Sequence, residues 1–320
     1  MISKVFLEAT NNLEWLKSGE RVLLKPALNS KDKYPATTHP LALEVVAKEI
    51  RMRGGVPIAA DQSGIETVVV DKREVRKGSS RECYRKSDMK VSGVDFIALE
   101  ERGWDSYKFV KNRNSDWSDG FYISDIIDSV DHIINLPRIS THIQAGVTLG
   151  AKNWVGLLRE DSRLRFHSDG PYYKTMVKFA SASPILKTNL ENEDKFFEKM
   201  GEITLAVKSK LRLTLFVGTE VQLVAGPDKK VAMFKTLQKK PKVGVVIASD
   251  NQMEADAVAL AFLRQEYRKL NFIEKIPAKI IGFLNKQTKE LIKERFWDNA
   301  FLKYAISKKL GKKNFTLLAE

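Results

Sequence analysis

Cysteine is all but missing from this chain: Cys83 stands alone among 320 residues. An intramolecular disulfide, a zinc site built on thiolates and an iron–sulfur cluster ligated by this chain are therefore excluded. Long apolar runs are missing too, and none approaches the roughly 20 residues needed to cross a bilayer. The first residues, with Lys4, Glu8 and Glu14, have neither the basic start nor the unbroken apolar stretch of a signal peptide, so the expected compartment is the cytoplasm. Several signatures fail as well. There is no Gly-x-x-x-x-Gly-Lys-Ser/Thr loop, no Gly-x-Gly-x-x-Gly, no Gly-x-Ser-x-Gly and no His-Glu-x-x-His, which leaves the usual nucleotide cradles, the hydrolase elbow and the zinc-protease helix unsupported.

What the chain does have is charge, and it is unevenly placed. The net charge is +14, but from Phe262 to Glu320 there are 14 Lys and Arg against 6 Asp and Glu. Much of the surplus thus sits in a terminal segment, away from the loops that look like a site, and a nucleic-acid surface is the weaker reading of it. Residues 271–320 read as basic amphipathic helices broken by Pro277 and Gly311, an appendage that either packs on the core or meets a protein or membrane surface.

Residues 1–270 read as an α/β domain, in one or two lobes, with a largely parallel sheet flanked by helices. Buried strands are expected at Arg21–Leu24, Val56–Ala60, His132–Leu136, Arg212–Val217 and Val243–Ala248, with edge strands at Asp95–Leu99 and Tyr107–Val110. Helices are expected from Pro40 to Arg53, Thr148 to Leu158, Asn189 to Gly201 and Gln252 to Leu270, with a polar loop from Arg159 to Tyr173. Asp71 to Ser92 is a charged excursion carrying a short helix.

Lys25, Asp61, Asn135 and Ser249-Asp250 each fall at the carboxyl end of an expected strand, the edge at which open α/β sheets bind ligands. His39 stands where a helix begins, and the positive end of the helix dipole favours its neutral form, able to cap, to ligate a metal or to accept a proton. Lys152 in the first turn of a helix is electrostatically misplaced by about 0.3–1 kcal/mol unless an anion is near. That placement points to a small anionic ligand, or to a lysine with a lowered pKa that acts as base or nucleophile. His142 and His167 flank it in expected loops, so His39, His142, Lys152 and His167 are the candidate catalytic residues, the three histidines also being candidate metal ligands. Lys25, Asp61, Asn135, Asn153, Ser249, Asp250 and Asp256 are the candidate ligand-binding residues, and His132, inside a strand, is expected to be structural.

These residues fall in motifs. Leu24-Lys25-Pro26, Thr37-Thr38-His39-Pro40, Ala60-Asp61-Gln62-Ser63-Gly64, Asn135-Leu136-Pro137, Thr141-His142, Lys152-Asn153 with Gly156, Gly226-Pro227 and Ser249-Asp250 with Asp256 follow one another from Leu24 to Leu263. In this order they resemble the domain of unknown function 362 family, whose members are in places fused to ferredoxin modules. The chain departs from that pattern at Ala27, where Asn is usual, at Arg138-Ile139-Ser140, which has one cation fewer, and at Val217. The order His39, His142, Lys152, His167 is also similar to the layout of nickel-pincer lactate racemases. That second likeness implies a lysine-anchored cofactor, a histidine on the metal and two histidines exchanging protons. An enzyme built on this site is expected to be of isomerase or oxidoreductase type.

Overall fold

The computed structural model describes residues 1–71, 74–169, 193–224, 226–231, 234–284 and 295–319. The end of the loop expected through Tyr173, the start of the helix expected from Asn189, and Leu291 and Ile292 of the basic segment lie outside them.

Six strands form the central sheet: β1 (Arg21–Pro26), β2 (Val56–Asp61), β3 (Asp95–Ala98), β4 (His132–Leu136), β7 (Leu211–Gly218) and β10 (Val245–Ser249), in the spatial order β10-β7-β4-β1-β2-β3. All neighbours are parallel except β7 and β10. A smaller sheet, in the order β6-β5-β8-β9, is made of β5 (Ser140–His142), β6 (Gly146–Thr148), β8 (Val221–Val224) and β9 (Leu237–Lys239). Tyr107–Val110 is not an edge of the central sheet, as expected from sequence, but pairs with Phe121–Ser124 in a separate hairpin.

Helices cover both faces of the sheet, as an α/β fold requires. They are α1 (Ile2–Ala9), α2 (Pro40–Met52), α3 (Ser80–Lys86), α4 (Gly150–Asn153), α5 (Glu160–Ser168), α6 (Phe196–Val207), α7 (Gln252–Arg268), α8 (Phe272–Leu284) and α9 (Ala300–Ser307). The strand period of two sorts side chains between two cores. Val22, Leu24, Ile134 and Leu136 join Phe6, Leu43, Val46 and Ile50 on one face, whereas Leu23 and Ile133 join Trp154, Phe166, Leu260 and Phe301 on the other. Lys25 and Asn135 share the parity of Leu23 and Ile133, so both enter the second face.

The start and stop of α2 follow from its residues. His39 caps it, accepting from the Leu41 N–H through Nδ1 at 3.2 Å, and Pro40 takes the first position, where a missing N–H costs nothing. The chain leaves the helix at Gly54, whose φ of +82° suits glycine, and turns into β2. Behind the cap, the Thr38 hydroxyl accepts from the Ala27 N–H at 2.7 Å and donates to the Leu136 carbonyl, tying α2 to the ends of β1 and β4.

The basic segment divides in two. In α9, Phe301, Leu302, Tyr304 and Ala305 are buried in the second core, and Lys308 pairs with Asp116. α8, by contrast, keeps much of its apolar surface exposed.

Candidate active site

One stretch of chain builds most of the site. Past Pro137 it runs through Arg138, along β5 and β6, into α4, through a 3-10 turn at Trp154–Leu157 and into α5, bringing Arg138, His142, Lys152, Asn153, Glu160, Arg163 and His167 beside the ends of β1 and β2. Two sequence expectations are corrected here. The helix expected over Thr148–Leu158 is only Gly150–Asn153, with Leu149 and not Thr148 preceding it. The loop expected from Arg159 is helical from Glu160 to Ser168, so His167 sits in a last helical turn.

A buried ion pair anchors the site. Lys25 Nζ lies 2.8 Å from Asp61 Oδ1, donates to the Pro26 carbonyl at 2.8 Å, and neither side chain is more than 4% exposed. Asp61 also accepts the Leu28 and Gln62 N–H groups, both at 2.9 Å. Burial pulls the lysine pKa down and the aspartate pKa up, and the attraction between the two opposes both shifts. Gly156 makes room for the pair: a Cβ on it would stand 1.9 Å from Asp61 Oδ1 and 3.1 Å from Lys25 Nζ.

Two asparagines lock α4 onto this pair. Asn153 Nδ2 donates to the Lys25 carbonyl at 3.0 Å and to Asn135 Oδ1 at 2.8 Å, and Asn135 Nδ2 donates to the Gly150 carbonyl at 3.1 Å. Asp256, from α7, accepts the Gly150 and Ala151 N–H groups at 2.6 and 3.0 Å. The anion at the start of α4 is thus the protein's own, and burial raises its pKa to about 7.

Lys152 turns away from that carboxylate towards His167. Its Nζ is 3.2 Å from His167 Nε2 and 5.2 Å from the centre of the Phe166 ring. His167 Nδ1 faces the Arg163 carbonyl at 2.7 Å, so Nδ1 carries the ring proton and Nε2 is the acceptor. Burial, with the charges of Arg163 and Arg138, brings the Lys152 pKa down to about 7. His142 has the opposite tautomer: its Nδ1 accepts from the Gln144 and Ala145 N–H groups at 3.0 and 3.2 Å, which leaves the proton on Nε2. Burial first, then the Lys152 charge, holds both histidines well below the ordinary imidazole range. They are neutral at physiological pH.

Sequence reasoning passed over Arg163 and Glu160 and treated Arg138 only as a departure from a family pattern. Arg163 donates to the Ser63 carbonyl at 2.5 Å and lies 3.5 Å from Glu160, whose pKa burial raises to about 7. Arg138 is 4% exposed, yet among the described residues its Nε and Nη1 meet no hydrogen-bond partner. The carboxylates of Asp228, Asp61 and Asp32 act on it only through space, and burial lowers its pKa to about 10. Lys25, Arg138, Lys152 and Arg163, all buried, therefore share this region with the buried carboxyl groups of Asp61, Glu160 and Asp256.

Not every candidate joins them. His39 stays at the start of α2 with its ring 4.5 Å from that of Tyr34, and no described contact links it to Lys152, His142 or His167. Among the described residues no three His, Cys, Asp or Glu side chains gather as a metal-ligand group. Ser249 lies level with Lys25 along the register Lys25, Asn135, Thr214, Ser249, but β10 runs antiparallel, so Asp250 leads away from the carboxyl edge. Asp250 instead lines a cleft of about 120 Å³ with Thr204, Asp256 and Tyr304. His132 is 2.9 Å from Glu20, accepts from Arg212 Nε at 3.0 Å and packs edge-on against Trp15, the surroundings of a structural histidine.

Comparison with known proteins agrees with the motif order. The chain is 26% identical over 162 residues to a thylakoid-associated protein of Synechocystis sp., a match that covers 48% of this chain and 44% of that protein. It therefore spans less than half of that relative's length. No solved structure matches the chain. The family described as "Domain of unknown function (DUF362)" matches residues 22–261, from the start of β1 to the middle of α7 and across every element of the candidate site. The chain belongs to this family.

Proposed function

We propose that the enclosed cluster binds a small anion, of the carboxylate class, and moves a proton on it, an isomerase type of activity. Arg138 carries this reading. A buried guanidinium with two nitrogens unpartnered costs several kcal/mol unless an acceptor fills the gap, and its forked N–H groups match a carboxylate. Lys152, with a pKa of about 7, is half in its amine form at neutral pH and serves as the base. The amine takes a proton from the carbon beside the carboxylate. The electron pair passes into the carboxylate as an enediolate held by Arg138 and by the His142 Nε2–H, and the proton returns to carbon from the Lys152 ammonium. His167 orients the amine through Nε2, and Lys25 with Asp61 fixes the floor of the site through Asn153.

The test is hydrogen exchange. A panel of 2-hydroxy and 2-oxo carboxylates incubated with the protein in heavy water is expected to yield deuterium at the carbon next to the carboxylate or carbonyl for at least one member. Lys152→Ala should abolish the exchange, and Arg138→Leu should weaken binding of the same compound by roughly 10- to 100-fold, the worth of hydrogen bonds to a charged group. Unlabelled compounds throughout, with no binding heat from any carboxylate or phosphate, would remove this reading.

A further inference from the structure

α8 shows solvent a face that a folded interior would normally absorb. Phe272, Ile273, Ile276 and Ile280 are 69%, 75%, 40% and 48% exposed. At about 100° per residue these four positions span an arc of about 100°, a single stripe of the helix. The helix is fixed from its other side. Asn271 accepts from the Glu274 N–H at 2.9 Å, Glu274 accepts from the Asn271 N–H at 3.0 Å, and the Glu274 carboxylate pairs with Lys239 of β9. This reciprocal cap fixes the start of α8 and leaves the apolar stripe outward. Lysines rim one side of the stripe: Lys279 Nζ lies 4.6 Å from the centre of the Phe272 ring, and Lys275 donates to the Arg268 carbonyl at 3.2 Å.

We infer that α8 docks the protein on an anionic lipid surface, lying in the headgroup plane with Phe272, Ile273, Ile276 and Ile280 inserted. An outward apolar stripe beside lysines, in a segment from Phe262 to Glu320 with 14 cations against 6 anions, is complementary to a surface that is apolar beneath and negative above. No described helix is long and apolar enough to cross a membrane, so α8 lies on the surface and does not span it. An antiparallel pairing with a second copy of this chain fits less well, because it would set the lysine rims of both copies side by side. A nucleic-acid backbone gives four exposed apolar side chains nothing to bury against.

Co-sedimentation of the full chain with vesicles decides the matter. The protein should pellet with phosphatidylcholine–phosphatidylglycerol vesicles and partition about tenfold less with phosphatidylcholine alone. Phe272→Glu with Ile273→Glu places acids in a first helical turn, which the helix dipole tolerates, and should cut partitioning on the order of tenfold or more while leaving the melting temperature unchanged. Lys275→Glu with Lys279→Glu should remove the preference for the anionic vesicles. Wild-type protein left in the supernatant with the anionic vesicles would overturn the inference, as would wild-type partitioning by the Phe272/Ile273 variant. A dimer in sedimentation velocity that the same substitutions abolish would assign the stripe to a second copy instead.

Discussion

Replacing Lys25 with methionine is expected to cost about 3–5 kcal/mol of unfolding free energy in urea at neutral pH, the usual consequence of removing one member of a buried ion pair. Methionine fills most of the volume, so the loss is electrostatic. It strands the Asp61 carboxylate, which is almost fully enclosed and keeps only the Leu28 and Gln62 N–H groups. Without the lysine, burial outweighs the remaining N–H bonds and the Arg163 charge, and the folded pKa of Asp61, already raised, moves further above the unfolded value. The folded protein then holds a proton that the unfolded chain releases, and stability falls as pH rises through that window. The deficit of Lys25→Met should therefore be smallest at mildly acid pH and grow towards neutrality. Exchanging both members for apolar residues, Lys25→Met with Asp61→Leu, should recover part of the loss, and the unpaired Leu28 and Gln62 N–H groups set the limit.

Lys152→Met is expected to act in the opposite direction, raising stability by on the order of 2 kcal/mol at pH 7. In the folded protein burial and two arginines hold this lysine at a pKa of about 7, against 10.5 for an unperturbed side chain. Between those values the unfolded chain binds a proton that the folded protein does not, so wild-type stability rises with pH across the interval. A methionine in its place titrates nowhere. The gain from the substitution should be at its full size at and below about pH 7 and should shrink as pH approaches about 10. The hydrogen bond to His167 is lost, which trims the gain by about 1 kcal/mol. A stabilising substitution that also abolishes exchange on a carboxylate is what a strained functional lysine gives. A purely structural lysine would give destabilisation, measurable in the same urea titrations over pH.

The parts of this architecture that the sequence shows are those with a strong local signal. Strands β1, β2 and β4 are apolar runs closed by Lys25-Pro26, Asp61 and Pro137, and their ends converge as strand-end logic requires. α2 carries its own cap and its own stop at Gly54. Helix α5 is hidden for a physical reason: Glu160, Ser162, Arg163 and Ser168 are buried alongside Leu164 and Phe166, so its inward side is largely polar and shows no apolar stripe. A helix that lines a polar site reads as a loop. Strand β10 is recognisable as a buried run, but an apolar run carries no direction, and only its antiparallel pairing with β7 shows that Asp250 points away from the shared edge. Strands β5 and β6, at three residues each, are too short for a period of two to register. His39 has the signature of a helix cap and of a site residue at once, and the observed bond to the Leu41 N–H is the cap.

The gathering of the site is also only partly a matter of pattern. Lys25, Asp61 and Asn135 meet because adjacent parallel strands bring their ends into line, and Asn153 reaches them from α4. Lys152 and His167 meet because the 3-10 turn at Trp154–Leu157 lets the last turn of α5 come beside α4. Nothing in the spacing of those two residues sets that turn. The close approach of Gly156 to Asp61, which any side chain would block, is what admits it.

One measurement bears most directly on the central claim, that an enclosed cationic cluster holds Lys152 as an amine ready for an anion. Nitrogen-detected NMR of the lysine side chains, assigned by comparison with Lys152→Met, follows its protonation over pH. The account gives a midpoint near 7 that moves upward when a carboxylate binds. A midpoint near the solvent value of about 10.4, unmoved by any small anion, would contradict it.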